Sequence, residues 1–121
     1  MIFFESRNIE CKRPFGAVKS GEEITLTFRV RQDVAVKEVR FVLQKDGGSE
    51  HPYPMTDKGE GKYELCLSLT EIGLYFYRFE VIRADGSFLF VGRGEKGRAV
   101  VGDWLPRWKL TVYHADFATA D

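Results

Sequence analysis

Apolar and polar residues alternate along most of this chain with a repeat of two, not the 3.6 of a helix. Within residues 23–31, Ile24, Leu26, Phe28 and Val30 are separated by Thr25, Thr27 and Arg29. The pattern returns with Val39, Phe41 and Leu43 in 37–45, and with Tyr63, Leu65, Leu67 and Leu69 in 62–70. It returns again with Tyr75, Tyr77, Phe79 and Val81 in 74–83. A shorter stretch covers 87–91, and 108–113 supplies the last, with Trp108, Leu110 and Val112 on one face. Successive side chains of extended backbone point to opposite sides, so each set lines one face of a strand. Residues 15–18 read as an edge strand, kept from a central place by Pro14 and Gly16.

The gaps carry turn chemistry. Lys19-Ser20-Gly21-Glu22 precedes the first long strand, and Asp46-Gly47-Gly48 and Asp85-Gly86 are hairpin signals, because Gly tolerates the positive φ of primed turns. Residues 57–61, Asp-Lys-Gly-Glu-Gly, read as a longer loop. No window of about ten residues carries a helical stripe. The predicted fold is all-β: an immunoglobulin-like antiparallel β-sandwich of about seven strands, in which one face of each sheet is buried.

Composition narrows the function. Eighteen basic and eighteen acidic residues give a formal net charge of zero, so no global field draws nucleic acid or an anionic membrane. No apolar run approaches the roughly 20 residues needed to cross a bilayer, and the start lacks the long apolar core of a secretory signal. The expectation is a cytoplasmic protein with no nucleic-acid or membrane partner. Two cysteines, Cys11 and Cys66, and two distant histidines, His51 and His114, do not make a metal set, and the cysteines read as free thiols. No metal and no cofactor is expected.

Residues 92–97, Gly-Arg-Gly-Glu-Lys-Gly, match the dinucleotide fingerprint and follow a strand. That fingerprint works only when a helix N-terminus after the glycines aims its N–H groups at a pyrophosphate. Here the continuation, Arg-Ala-Val-Val-Gly-Asp-Trp-Leu-Pro, is no helix, so the stretch reads as a loop. Adjacent carboxylates such as Glu22 and Glu23 are inevitable among eighteen, no nucleophile elbow occurs, and neither histidine has the neighbours that tune a base. No catalytic residue is assigned, and the chain by itself is not expected to be an enzyme.

Aromatic residues are the suggestive group: ten Phe, five Tyr and two Trp. Phe28, Phe41, Tyr63, Tyr75, Tyr77, Phe79 and Trp108 fall on the inward parity and are expected in the core. Tyr53, Phe76, Phe88, Phe90, Trp104 and Tyr113 fall outward or in loops. Flat exposed rings suit the apolar C–H face of a sugar or the surface of a neighbouring domain, and a contiguous patch of three would point that way. On parity, Tyr53, Phe76, Phe88, Trp104 and Tyr113 are the candidate carbohydrate-binding or domain-docking residues.

Three stretches then add a resemblance. RPFGAVKSGEEITLTFRVRQDVAVKEVRFVLQKDGG (13–48), GLYFYRFEV (73–81) and PRWKLTVYHADFATAD (106–121) together resemble the N-terminal domain of glycoside hydrolase family 13, the bacterial α-amylase superfamily. The likeness is to pullulanase- and neopullulanase-like α-glycosidases, whose immunoglobulin-like first domain is related to carbohydrate-binding module family 34. It implies that residues 1–113 form the sandwich and that residues 114–121 begin a linker to a catalytic barrel not included in this chain. The family's catalytic carboxylates lie in that barrel, so none carries over. The implied role is a non-catalytic accessory domain of an α-glucan hydrolase. Its partners would be its own C-terminal barrel, the other subunit of a homodimer, and α-glucan. Two alternatives stand beside it: a self-sufficient carbohydrate-binding module, and a structural or adhesion-type immunoglobulin-like domain.

Overall fold

The computed structural model describes residues 2–3, 12–13, 17–31, 35–102 and 105–114. They form a two-sheet, almost wholly β structure, as the alternation predicts. The strands are β1 (Ile2–Phe3), β2 (Lys12–Arg13), β3 (Val18–Lys19), β4 (Glu23–Val30), β5 (Val36–Lys45) and β6 (Glu50–Pro54). They continue as β7 (Thr56–Gly59), β8 (Lys62–Ser68), β9 (Gly73–Arg83), β10 (Phe88–Arg93), β11 (Ala99–Val101) and β12 (Trp108–Tyr113). A 3-10 turn, Glu95–Gly97, links β10 to β11. The first sheet runs β1–β4–β8–β7, with β2 also on β4; the second joins β3, β5, β6, β9, β10, β11 and β12.

Strand β9 organises the second sheet. One edge pairs with β5 from Lys45↔Tyr75 to Val36↔Arg83. The other edge is divided. Residues 73–77 pair with β12, ending at Trp108↔Tyr77, and residues 79–82 pair with β10, beginning at Val91↔Phe79. The sheet therefore forks beside Arg78. Beyond the fork β12 pairs in parallel with β3 through Val112↔Val18, a mixed element in an otherwise antiparallel set.

The seven predicted inward rings are all buried. Phe28 of β4 meets Phe79 of β9 across the sheets, with ring centroids 4.6 Å apart. Trp108 stacks on Tyr77 at 5.4 Å and 13°, and meets Phe79 edge-on at 5.5 Å. Fully burying an aromatic of this size stabilises by about 1.5–3 kcal/mol, so this cluster dominates the core.

The hairpin signals hold. Asp46–Gly48 joins β5 to β6, with Gly47 at φ 82°, and Asp85–Gly86 joins β9 to β10, with Gly86 at φ 88°. Residues 57–61 are a correction: they are not an extended loop but the end of β7 and a tight turn into β8, with Glu60 at φ 55° and Gly61 at 77°. Strand β6 is an addition. Its Pro52 and Pro54 spoil the sequence signal, yet an edge strand accommodates proline because one side needs no N–H donor. Of the edge strand predicted at 15–18, residues 15 and 16 lie outside the described residues, and Val18 belongs to β3. Cys11 also lies outside, as do residues 115–121 of the predicted linker. Cys66 is exposed on β8, with its Sγ 3.6 Å from Thr25 Oγ1.

The glycines of residues 92–97 have packing roles. A Cβ on Gly92 would sit 2.5 Å from Leu105 Cβ and 2.8 Å from the Pro106 carbonyl oxygen, so only glycine lets that segment close over β10. The closure is fixed by the Arg93 N–H, which donates to the Pro106 carbonyl at 2.7 Å. A Cβ on Gly94 would meet Val100 Cγ1 at 2.7 Å. Gly97 takes φ 77°, and its carbonyl accepts the buried Trp108 indole N–H at 2.9 Å. Among the described residues no α-helix follows; the stretch runs through the 3-10 turn into β11, so no long helix N-terminus faces these glycines there.

Two substitutions test this frame. Trp108→Phe keeps a ring on Tyr77 but strands the Gly97 carbonyl, and is expected to lower unfolding stability by about 1–3 kcal/mol in urea titration. Gly92→Ala forces the 105–107 segment off β10 and is expected to cost about 1–3 kcal/mol in the same measurement, although it adds only a methyl group.

Candidate functional site

The outer face of the second sheet follows from register. Glu50, Gln44, Phe76 and Lys109 lie side by side across four strands. Pro52, Val42 and Arg78 form the next row, and Pro54, Arg40, Glu80 and Phe90 the one after it. Glu38, Ile82 and Phe88 follow. Val42 and Ile82 are buried although they face outward, because the long side chains beside them cover them.

The arginines of this face are paired with carboxylates of the same face. Arg78 Nε and Nη2 donate to the two Glu50 carboxylate oxygens at 3.2 Å each, and Nη1 donates to Glu80 at 2.6 Å. Burial works against charge on Arg78. The hydrogen bonds to Glu50 and Glu80, and their negative charge, outweigh that effect and raise the guanidinium pKa further. The guanidinium carbon lies 5.9 Å from the Phe90 ring centre. Arg107 Nη1 donates to Gln44 Oε1, lies 3.9 Å from a Glu50 oxygen, and its guanidinium covers the Phe76 ring at 5.1 Å. Each arginine thus joins a carboxylate to a ring, an arrangement in which cation–π attraction adds to the ion pair.

Beside these residues the fork opens a cleft of about 660 Å³ lined by Glu50, Arg78, Phe90, Gly92, Leu105 and Arg107. Its size is in the range of small-molecule and side-chain pockets. On the adjoining surface Phe88 and Phe90 stack with centroids 6.1 Å apart and remain 44% and 41% exposed. Val100, across β10 from Gly92, is 37% exposed. The result is a contiguous apolar patch whose neighbouring charges are already matched.

A second concavity, of about 460 Å³, lies on the opposite face of the same sheet, between β6 and the end of β8. Lys45, His51, Tyr53 and Tyr75 line it, with Ser49 and Glu71. Lys45 donates to the Glu71 carboxylate, and the Tyr75 hydroxyl donates to the Glu71 carbonyl at 2.6 Å. Burial pushes the Tyr75 hydroxyl pKa up, Glu71 and Tyr53 push it the same way, and Lys45 pulls it down.

The structure separates the predicted site residues. Phe76 and Phe88 share the outer face, Phe88 exposed beside Phe90 and Phe76 half-buried under Arg107. Tyr113 ends β12, which runs past the Gly73 end of β9, while Phe88 pairs with Ile82 at the other end. Nine residues of strand separate the two ends, about 30 Å. Tyr53 is a correction: its position opposite Phe41 turns its ring inward, 6.4 Å from that ring and half-buried, so it is not an outward platform. Trp104 lies outside the described residues. Sequence reasoning passed over Arg78, Arg107 and Glu50. Their only signal was the outward parity of an arginine between Tyr77 and Phe79. Among the described residues, no three of His, Cys, Asp and Glu gather as a metal set, and no helix is long and apolar enough to cross a membrane.

No protein-family model matches this chain, and no curated protein sequence does. Among solved structures it is similar to the cycloalternan-degrading enzyme from Trueperella pyogenes, with a TM-score of 0.63 and 16% identity over 94% of this chain and 15% of that one. The apo pullulanase from Paenibacillus barengoltzii aligns at TM-score 0.44 and 19% identity, over 73% of this chain and 14% of that one. The PmoD soluble domain from Methylocystis sp. ATCC 49242 (Rockwell) aligns at TM-score 0.48 and 11% identity, over 93% of this chain and 89% of that one. The last two likenesses are too weak to carry an argument. The first shows a shared fold, and the present chain spans about 15% of the length of that enzyme.

Proposed function

We propose that this chain is a non-catalytic accessory domain of an α-glucan hydrolase. It docks through the outer face of its second sheet on the catalytic barrel of its own polypeptide, or on that of the partner subunit in a homodimer, where it also contacts α-glucan. The observation that carries the reading is the stacked, exposed Phe88–Phe90 pair beside the apolar-floored fork cleft. Removing the remaining exposed area of these two rings from water, somewhat under half of each, is worth on the order of 0.6–1.3 kcal/mol per ring. Arg78, Glu50 and Glu80 satisfy one another, so the matching surface need not supply charge. The shared fold with one domain-sized part of the cycloalternan-degrading enzyme supports the same reading, as does the resemblance carried by residues 13–48, 73–81 and 106–121.

Two measurements test it. Mass spectrometry of the natural gene product is expected to show sequence continuing past Asp121 into a barrel, and a product ending at Asp121 overturns the reading. In that longer protein, Phe88→Ser with Phe90→Ser is expected to speed limited proteolysis between the domains severalfold. The same pair, being exposed, should change the stability of the 121-residue chain by no more than about 0.5 kcal/mol per site. Unchanged proteolysis in the longer protein would place docking elsewhere.

A further inference from the structure

Two Asp-Gly pairs occur in this chain, Asp46-Gly47 and Asp85-Gly86, and each turns a hairpin. The pair has a chemistry of its own. The backbone nitrogen after an aspartate can attack the side-chain carboxyl carbon and close a five-membered imide, and glycine, with no Cβ, hinders that attack least. Two freedoms are needed. The carboxyl must swing over the main chain in its protonated form, and the amide must turn to face it. As sequence the two pairs are equivalent. Both aspartates are exposed, and both glycines face open space, with nothing within 4 Å of where a Cβ would stand.

At Asp85 both freedoms are withdrawn. Its Oδ1 accepts the Ser87 N–H at 2.9 Å and the Ser87 hydroxyl at 2.5 Å, and that hydroxyl accepts Arg83 Nε at 2.7 Å. The Ser87 hydroxyl, its N–H and the charge of Arg83 hold the Asp85 carboxyl below its ordinary pKa. Above that value less of it carries the proton that lets an oxygen leave as water. The attacking nitrogen is committed as well, because the Gly86 N–H donates to the Arg83 carbonyl at 2.8 Å. At Asp46 neither restraint exists. The Asp46 carboxylate and the Gly47 N–H make no hydrogen bond among the described residues. Its turn is closed one residue later, by the Gly48 N–H on the Lys45 carbonyl at 2.7 Å.

We propose that Asp46 is a modification site, where the Gly47 nitrogen attacks Asp46 Cγ to form a succinimide that water opens to isoaspartate. As the N–Cγ bond forms, the carboxyl hydroxyl leaves with the amide proton as water. Water then adds to the main-chain carbonyl of the imide and breaks its bond to nitrogen. The chain is left linked through the side-chain carbonyl, with a free α-carboxylate and no change in mass. That carboxylate is the acceptor suited to a carboxyl methyltransferase that uses S-adenosylmethionine. The main chain gains one methylene just before the Gln44↔Glu50 pair of β5 and β6, and Glu50 holds Arg78 on the outer face. The site does not rest on the accessory-domain reading.

Ageing of the 121-residue chain at mildly acidic pH, in buffer and in concentrated guanidinium chloride, tests it, with peptide mapping by electron-transfer fragmentation to separate isoaspartate from aspartate. In buffer, isoaspartate is expected to accumulate at residue 46 about tenfold faster than at residue 85, the equivalent of one or two net hydrogen bonds. In denaturant the two rates should converge, because only the fold distinguishes the pairs. Ser87→Ala is expected to raise the rate at residue 85 severalfold and to leave that at residue 46 unchanged. Asp46→Glu, which would have to close a six-membered ring, should remove most methyl incorporation from S-adenosylmethionine into the aged chain. Equal rates at the two pairs in buffer, a faster rate at residue 85, no isoaspartate at residue 46, or a preference for residue 46 that persists in denaturant would each overturn the assignment.

Discussion

The structure depends on one strand being shared unequally. β9 gives one whole edge to β5 but divides the other between β12 and β10. A divided edge exposes a gap at Arg78 that the core beneath must hold shut. Trp108 does this: it begins β12 at the fork, stacks on Tyr77, meets Phe79 edge-on, and ties its indole N–H to the turn after β10. Phe28 then connects the same cluster to the first sheet. Ring packing and a single buried hydrogen bond thereby fix both arms of the fork relative to each other.

The candidate surfaces follow from that arrangement. Because β12 and β10 diverge, the segment before Trp108 must cross over Gly92, and it brings Leu105 and Arg107 to the outer face. Arg107 then reaches Phe76 and Gln44, while Arg78 joins Glu50 to Phe90. The arginines use their charge within the sheet, and Phe88 and Phe90 are left as unsheltered apolar area. On the inner side Lys45, His51, Tyr53 and Tyr75 line a polar mouth, with Lys45 and the Tyr75 hydroxyl both held by Glu71.

Much of this was legible in the chain. The inward rings and the hairpins at Asp46 and Asp85 follow from parity and turn chemistry. β6 escaped notice because Pro52 and Pro54 break the statistics of a strand while being compatible with an edge. Tyr53 was misplaced for the same reason: without a strand around it, its parity had no reference. The three glycines looked like a motif because spacing alone does not reveal that Leu105, Pro106 and Val100 crowd two of them.

By itself the sequence determined that the chain forms strands, which side chains each strand turns inward, and where several chain reversals occur. Those properties are local, set by backbone extension and by the φ that glycine permits. Only the tertiary structure decided which strands are neighbours, that β9 serves three of them, and that Phe90, Arg78, Arg107 and Glu50 converge from four separate segments. A period of two names a face but not a partner. Pairing is settled by which buried rings interlock once the two sheets close on each other.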